Sequence, residues 1–302
     1  MPRRPFHVKL YWTLRDYAKR VWDNSGEDNI FFLAGGIAFN ILLAAVPFLL
    51  LLVAGLATIL GLSPDSSSAE ISALLDRLMP PHPKSMESPV HTVLGDILRS
   101  RGAVKIWSAV GFIWFSTRLF GSLRSVLAEV FDIEQDRGIV DGKLFDIKIA
   151  VIATLLFVGY TALNAYIALA TTRGVRVLTE YGVRTEVLGG LQYWFGRLLA
   201  VAFILTMFFA LYKYLPNRKI RWKQAAIASA FTTGMFELAR NLFTAYVTNF
   251  NPASLYTGTL TAVVIIVVWV YYAAVIFILG GEVGQVYELR RVRKMQREVF
   301  TE

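Results

Sequence analysis

The chain has no cysteine, only three histidines and no glycine-rich phosphate loop. Without cysteine there are no disulfides, thiolate nucleophiles or zinc–sulfur sites. His7, His82 and His91 stand apart from any patterned carboxylates, so neither a hydrolytic metal site nor a nucleophile–histidine–acid triad is visible. Without a P-loop, the chain does not carry the usual phosphate cradle of an ATPase. We therefore expect no enzyme, no catalytic residue, no metal and no cofactor. Charge is scarce too. From Ile30 to Leu62, 33 positions run without one Asp, Glu, Lys or Arg.

What replaces charge is apolar mass. Of 302 residues, 55% are hydrophobic and the mean hydropathy is +0.50, above the balance of an average soluble domain. The expected class is an all-α polytopic membrane protein. Residues 1–29 are polar, and the first apolar run is much longer than a cleavable signal core, so that span is expected to stay in the product. A net charge of +9 raises the question of nucleic acid. In a membrane protein, basic residues first mark loops beside anionic lipid, and their placement favours that reading, with no nucleic acid as partner.

A bilayer core about 30 Å thick is crossed by about 20 helical residues. The run 30–62 exceeds one straight crossing, and Pro47 lies near its middle, where it removes a donor and crowds the carbonyl four residues back. A kink or break is expected within one turn of Pro47, with Gly35 and Gly36 as further hinge residues. Ala34, Gly35, Gly36 and Ala38 offer a small-residue face on which another helix could pack closely, either within one monomer or across a homodimer.

Residues 1–29 place Leu10, Leu14, Tyr17, Ala18 and Val21 at helical spacing. They predict an amphipathic cytoplasmic helix, lying in the membrane interface or simply solvated. The polar segment 63–101 contains two helical pieces around a proline-rich link and is expected to form an outer cap. Further apolar runs recur at 106–123, 149–170, 191–211, 225–247 and 259–279, which with the first makes six spans over 30–281. Residues 282–302 are expected as a basic cytoplasmic tail. Twenty Lys and Arg fall in 1–29, 124–148, 213–224 and 282–302, against eight in 63–105, 171–190 and 249–257. That asymmetry puts both termini in the cytoplasm. Two halves of three spans would have opposite orientations, as in inverted-repeat transporters, although the halves show no convincing sequence match.

Ionisable residues inside a bilayer cost about 2.5 to 3.5 kcal/mol at a helix centre on insertion scales, so each carries information. Here they are Arg118, Arg197, Glu237 and Arg240. Glu237 can pair with Arg240 three residues on, or with Arg197 across a helix interface, as structural glue. The same three can instead line a water-filled cavity that binds an anionic headgroup, or a proton on Glu237. Arg118 can snorkel toward cytoplasmic phosphate or take part in binding or transport of the substrate. Asn40 can cap a backbone group freed by Pro47 or line a path. The uncharged turn from Asn249 to Gly258 can be a cation or sugar site, or only a tight turn.

Several stretches together resemble the YihY/BrkB family of bacterial inner-membrane proteins: Ala34-Gly-Gly-Ile-Ala-Phe-Asn40 with Pro47-Phe48, Ser116-Thr-Arg-Leu119, Leu211-Tyr-Lys-Tyr-Leu-Pro216 continuing to Trp222, and Tyr256-Thr-Gly258 leading to Trp269-Val-Tyr271 and Gly280-Gly-Glu282. The resemblance runs over roughly residues 25–285. One departure is the amide of Asn40, where family members often carry a ring. The resemblance implies six spans and a link to the cell envelope, including serum resistance and the movement of lipid A precursors or other lipids. Some members were once labelled ribonuclease BN, for which this sequence offers no chemistry. The leading expectation is an inner-membrane transporter of a lipid or other anionic amphiphile, with membrane lipids as partners. The alternatives are an ion- or proton-coupled carrier of a cation or osmolyte, and a non-transporting envelope scaffold.

Overall fold

The computed structural model describes residues 6–59, 103–134, 138–180, 185–250 and 259–299. Among them are seven helices and no strand: α1 (Phe6–Glu27), α2 (Ile30–Ile59), α3 (Ala103–Val130), α4 (Ile139–Glu180), α5 (Thr185–Tyr214), α6 (Trp222–Phe250) and α7 (Thr259–Val299). Each of the six expected spans falls within one of α2 to α7, except that the first was expected to reach Leu62, beyond the described end of α2. Among the described residues, three stretches are long and apolar enough to cross a membrane by composition: Ile30–Phe48, Gly196–Tyr214 and Val263–Gln296. The expected outer cap at 63–101 and the turn residues 251–258 lie outside the described residues.

The chain forms two compact units. The first gathers Met1–Trp22, Leu127–Gly234 and Gly280–Glu302; the second gathers Asp23–Val126 and Met235–Leu279.

The first unit is built on a close approach to α7. Tyr212, at the end of α5, is 0% exposed, and its hydroxyl lies 2.7 Å from Thr232 Oγ1 on α6. Thr232 gives its own proton to the Ala228 carbonyl at 2.8 Å, so Tyr212 is the donor between the two. A Cβ on Gly280 would collide with both hydroxyls, and one on Gly281 would stand 3.0 Å from Val130. A Cβ on Gly284 would stand 3.1 Å from that of Ala228. Bare backbone is what lets α7 come this near. Within the expected basic tail 282–302, residues 282–299 form the C-terminal part of α7, and Glu282, Val283, Gln285 and Val286 are buried.

α3 ends inside the first unit in a closed C-cap. Ile133 N donates to Ala128 O at 2.8 Å and Asp132 N to Glu129 O at 3.1 Å, with Asp132 in the left-handed conformation at φ 50°. These paired bonds satisfy carbonyls that the helix end leaves over. The Asp132 carboxylate then accepts from Gln285 Nε2 at 3.0 Å, tying the cap to α7.

In the second unit, the buried face of α2 is Ile30, Ala34, Ile37, Ala38 and Ala44, close to the spacing of one helical stripe. The expected break at Pro47 does not occur: α2 is helical from Ile30 to Ile59 with Pro47 inside it. One missing donor is tolerated in a helix supported by neighbours, and α3 supplies that support. Gly111 of α3 is open enough that an added Cβ would stand 3.6 Å from Pro47 Cβ, and the Phe48 and Phe112 rings lie 5.6 Å apart. Tyr271 of α7 donates to the Phe31 carbonyl at 3.2 Å. Trp269 of α7 meets Phe236 and Phe243 of α6 at 5.4 and 4.8 Å.

The close packing that Gly35 and Gly36 allow within one chain is not seen among the described residues. A Cβ at either glycine meets nothing among the described residues within 4 Å. The contact stripe runs through the two alanines, because positions 34 and 38 share a face that 36 does not.

Gly280→Ala is expected to destabilise the protein by about 1 to 3 kcal/mol through overpacking. Gly36→Ala is expected to be neutral or to stabilise by up to about 1 kcal/mol. Thermal unfolding of the detergent-solubilised variants checks both. Loss of a dimer on Gly36→Ala would place a partner helix on that face.

Candidate functional sites

The second unit holds an ion pair on an apolar helix. Arg240 Nη2 donates to Glu237 Oε2 at 2.7 Å, three residues apart on α6. The Glu237 side chain is 15% exposed and that of Arg240 is 40%. The pair is thus lopsided: the carboxylate is mostly covered, while much of the guanidinium remains open. A guanidinium has five N–H donors, and this geometry commits only part of that capacity. Helical spacing brings Glu237 and Arg240 together as the sequence allowed. Arg197 lies half-buried on α5, in the first unit.

Asn40 does not serve the backbone around Pro47. Its Nδ2 donates to the Gly36 carbonyl at 2.8 Å, one turn back on its own helix, whereas proline at 47 frees the carbonyl of residue 43. An amide four residues ahead of a carbonyl finds it without any rearrangement, and that local bond wins. Arg118 is exposed on α3, consistent with a side chain reaching outward from an apolar helix.

The first unit holds a set of polar groups that span-by-span reading missed. Glu282 is 0% exposed and Gln285 is buried one turn later. Asp146 of α4 is also buried. On the facing side of α6, Gln224, Ser229, Thr232 and Thr233 are buried. The sequence did carry a signal for Glu282, because Gly-Gly-Glu follows directly on the last apolar run. A carboxylate there reads as the end of a span and the start of water. In the fold it is the middle of a helix enclosed by others. Among the described residues, no group of three or more His, Asp or Glu is arranged to hold a metal ion.

α1 is fastened to α7 within this unit. The Tyr17 hydroxyl donates to the Val283 carbonyl. Asp16 accepts from Arg290 at 3.2 Å and from Arg20 at 3.3 Å. Burial pushes the Tyr17 phenol up to about 12, opposed in part by the nearby Arg290 charge.

Long apolar helices, with arginines and carboxylates set among them, define an α-helical membrane protein. Residues 21–299 match the family model described as Virulence factor BrkB, and the chain belongs to that family. A UPF0761 membrane protein of Alteromonas mediterranea is 24% identical over 300 residues, covering 98% of this chain and 97% of the relative. One of Pelodictyon phaeoclathratiforme is 25% identical over 91% of this chain, and one of Ralstonia nicotianae 23% identical over 98%. The chain spans only 60% and 64% of the lengths of those two. No solved structure matches.

The Tyr17 contact generates an alkaline prediction. The folded state holds the phenol protonated above its ordinary value near 10, so this contribution is whole below about pH 10 and is lost as pH rises through about 12. α1 is expected to loosen from α7 over that window, read as faster proteolysis within residues 6–22. Tyr17→Phe should show the faster cleavage already at neutral pH and no step at alkaline pH.

Proposed function

We propose that the protein is a transporter of the bacterial inner membrane that handles a lipid or other anionic amphiphile during assembly of the cell envelope. The observation that carries this reading is the lopsided pair on α6. Arg240 keeps 40% of its side chain exposed while 2.7 Å from Glu237, which leaves donors for a second anion such as a headgroup phosphate. Arginine suits this role because its planar fork grips two oxygens at once and remains charged when partly desolvated. Arg118 and Arg197 add cations on two other long helices. In this reading six helices, α2 to α7, cross the membrane, and the twenty basic residues at the termini and inner loops face the cytoplasm.

A second reading uses the same carboxylate. Glu237 is mostly covered on an apolar helix, and ionisable side chains in such places mark ion and proton paths. The protein would then couple carriage of a cation or osmolyte to that proton.

Reconstitution into liposomes with a labelled anionic lipid separates these. Arg240→Gln is expected to slow movement of the lipid by at least about tenfold, the loss of one charge-assisted hydrogen bond of about 1.5 kcal/mol or more. Wild-type activity no greater than in empty vesicles would sink the lipid reading and leave the proton-coupled carrier and the scaffold. Unchanged transport by Glu237→Gln at every pH would remove the proton-coupled reading.

A further inference from the structure

In the first unit, the loop between α5 and α6 and the C-terminal part of α7 are both rich in cations. Lys213, Arg218, Lys219, Arg221 and Lys223 stand in a stretch without one acid, and Arg290, Arg291, Arg293 and Lys294 follow one another on α7. The two segments meet at Glu288, whose Oε1 lies 3.6 Å from Arg221 and 3.6 Å from Arg291. Asp16 is likewise shared by Arg20 and Arg290. Two carboxylates therefore serve four arginines. Lys219, Lys223 and Arg293 are exposed, and among the described residues none has a carboxylate at ion-pair distance.

The depth of this surface follows from its neighbours. The loop begins where the apolar stretch Gly196–Tyr214 ends. Trp222, just past the loop, is 65% exposed. Its ring lies 5.5 Å from Phe209 on the span side, with the Lys213 ammonium 5.3 Å from its centroid. Lys213 also donates to the Ile220 carbonyl, which closes the loop over the helix end. An indole with its apolar body against a span and a cation beside it belongs at the boundary between hydrocarbon and water.

We propose that this surface attracts anionic phospholipid headgroups of the adjacent leaflet, with Lys219, Lys223 and Arg293 as the exposed cations that meet them. The lipid is a resident of the surface rather than cargo, so the proposal stands apart from the transport reading. Charge complementarity selects an anion, and the position of Trp222 at the edge of a span selects one embedded in the bilayer.

The full-length protein in detergent is titrated with phosphatidylglycerol and with phosphatidylcholine, and bound lipid is counted by native mass spectrometry. The wild type is expected to retain phosphatidylglycerol ahead of phosphatidylcholine. Affinity for the former should fall about fivefold for each of Lys219→Gln, Lys223→Gln and Arg293→Gln. Equal retention of both lipids, or unchanged binding by the triple variant, overturns the proposal. So does inorganic phosphate binding as tightly as the lipid, or an oligonucleotide binding in its place. A readout independent of substitution is salt. Raising ionic strength from about 0.01 M to about 0.1 M shortens the screening length from about 30 Å to about 10 Å, which must weaken retention of phosphatidylglycerol by the wild type, and the absence of any such loss overturns the proposal too.

Discussion

The absence of a side chain at Gly280 is the constraint on which the first unit rests. In lipid, helices gain little from hiding apolar surface, because the solvent is as apolar as they are. Contact must come from shape and from hydrogen bonds between side chains. Here the two are combined: the bare backbone of α7 admits the hydroxyls of Tyr212 and Thr232 to a place where a methyl group would collide, and those hydroxyls are satisfied by each other and by the Ala228 carbonyl. The polar atoms are therefore both packing and glue. With α7 so placed, Gln285 reaches the cap of α3 at Asp132, and Val283 meets Tyr17 of α1.

Hydropathy located the helices better than it located their ends. The last apolar run ends at Leu279, yet α7 continues to Val299. A run of apolar residues reports where lipid or a dry core is tolerated, while a helix continues for as long as its backbone bonds and its packing are favourable. Glu282 shows the cost of treating the two as one quantity. It looks like a boundary from composition alone, but its surroundings are supplied by residues over a hundred positions away, such as Leu127 and Val130 beside Gly281. No local pattern contains that information.

Pro47, Gly35 and Gly36 turn on the same distinction. The sequence states what each residue permits, and the neighbours decide whether the permission is used. Pro47 permits a break, but α3 packs beside it and the helix goes on. The two glycines permit close approach, but the buried stripe is set by Ala34 and Ala38. The Glu237 and Arg240 pair was legible because it is local: a separation of three residues on a helix fixes the distance whatever the rest of the fold does.

The bond from Tyr17 to Val283 joins residues 266 positions apart, and this sets an order for biogenesis. α1 leaves the ribosome well before its partner surface on α7 is made. At about 5 to 20 residues per second, the amphipathic first helix waits on the order of 13 to 50 s for the segment that receives it. During that interval its apolar face lacks its α7 partner and can rest on the membrane surface. The first unit can therefore close only after α7 has been made, and a protein truncated before α7 would leave α1 unfastened.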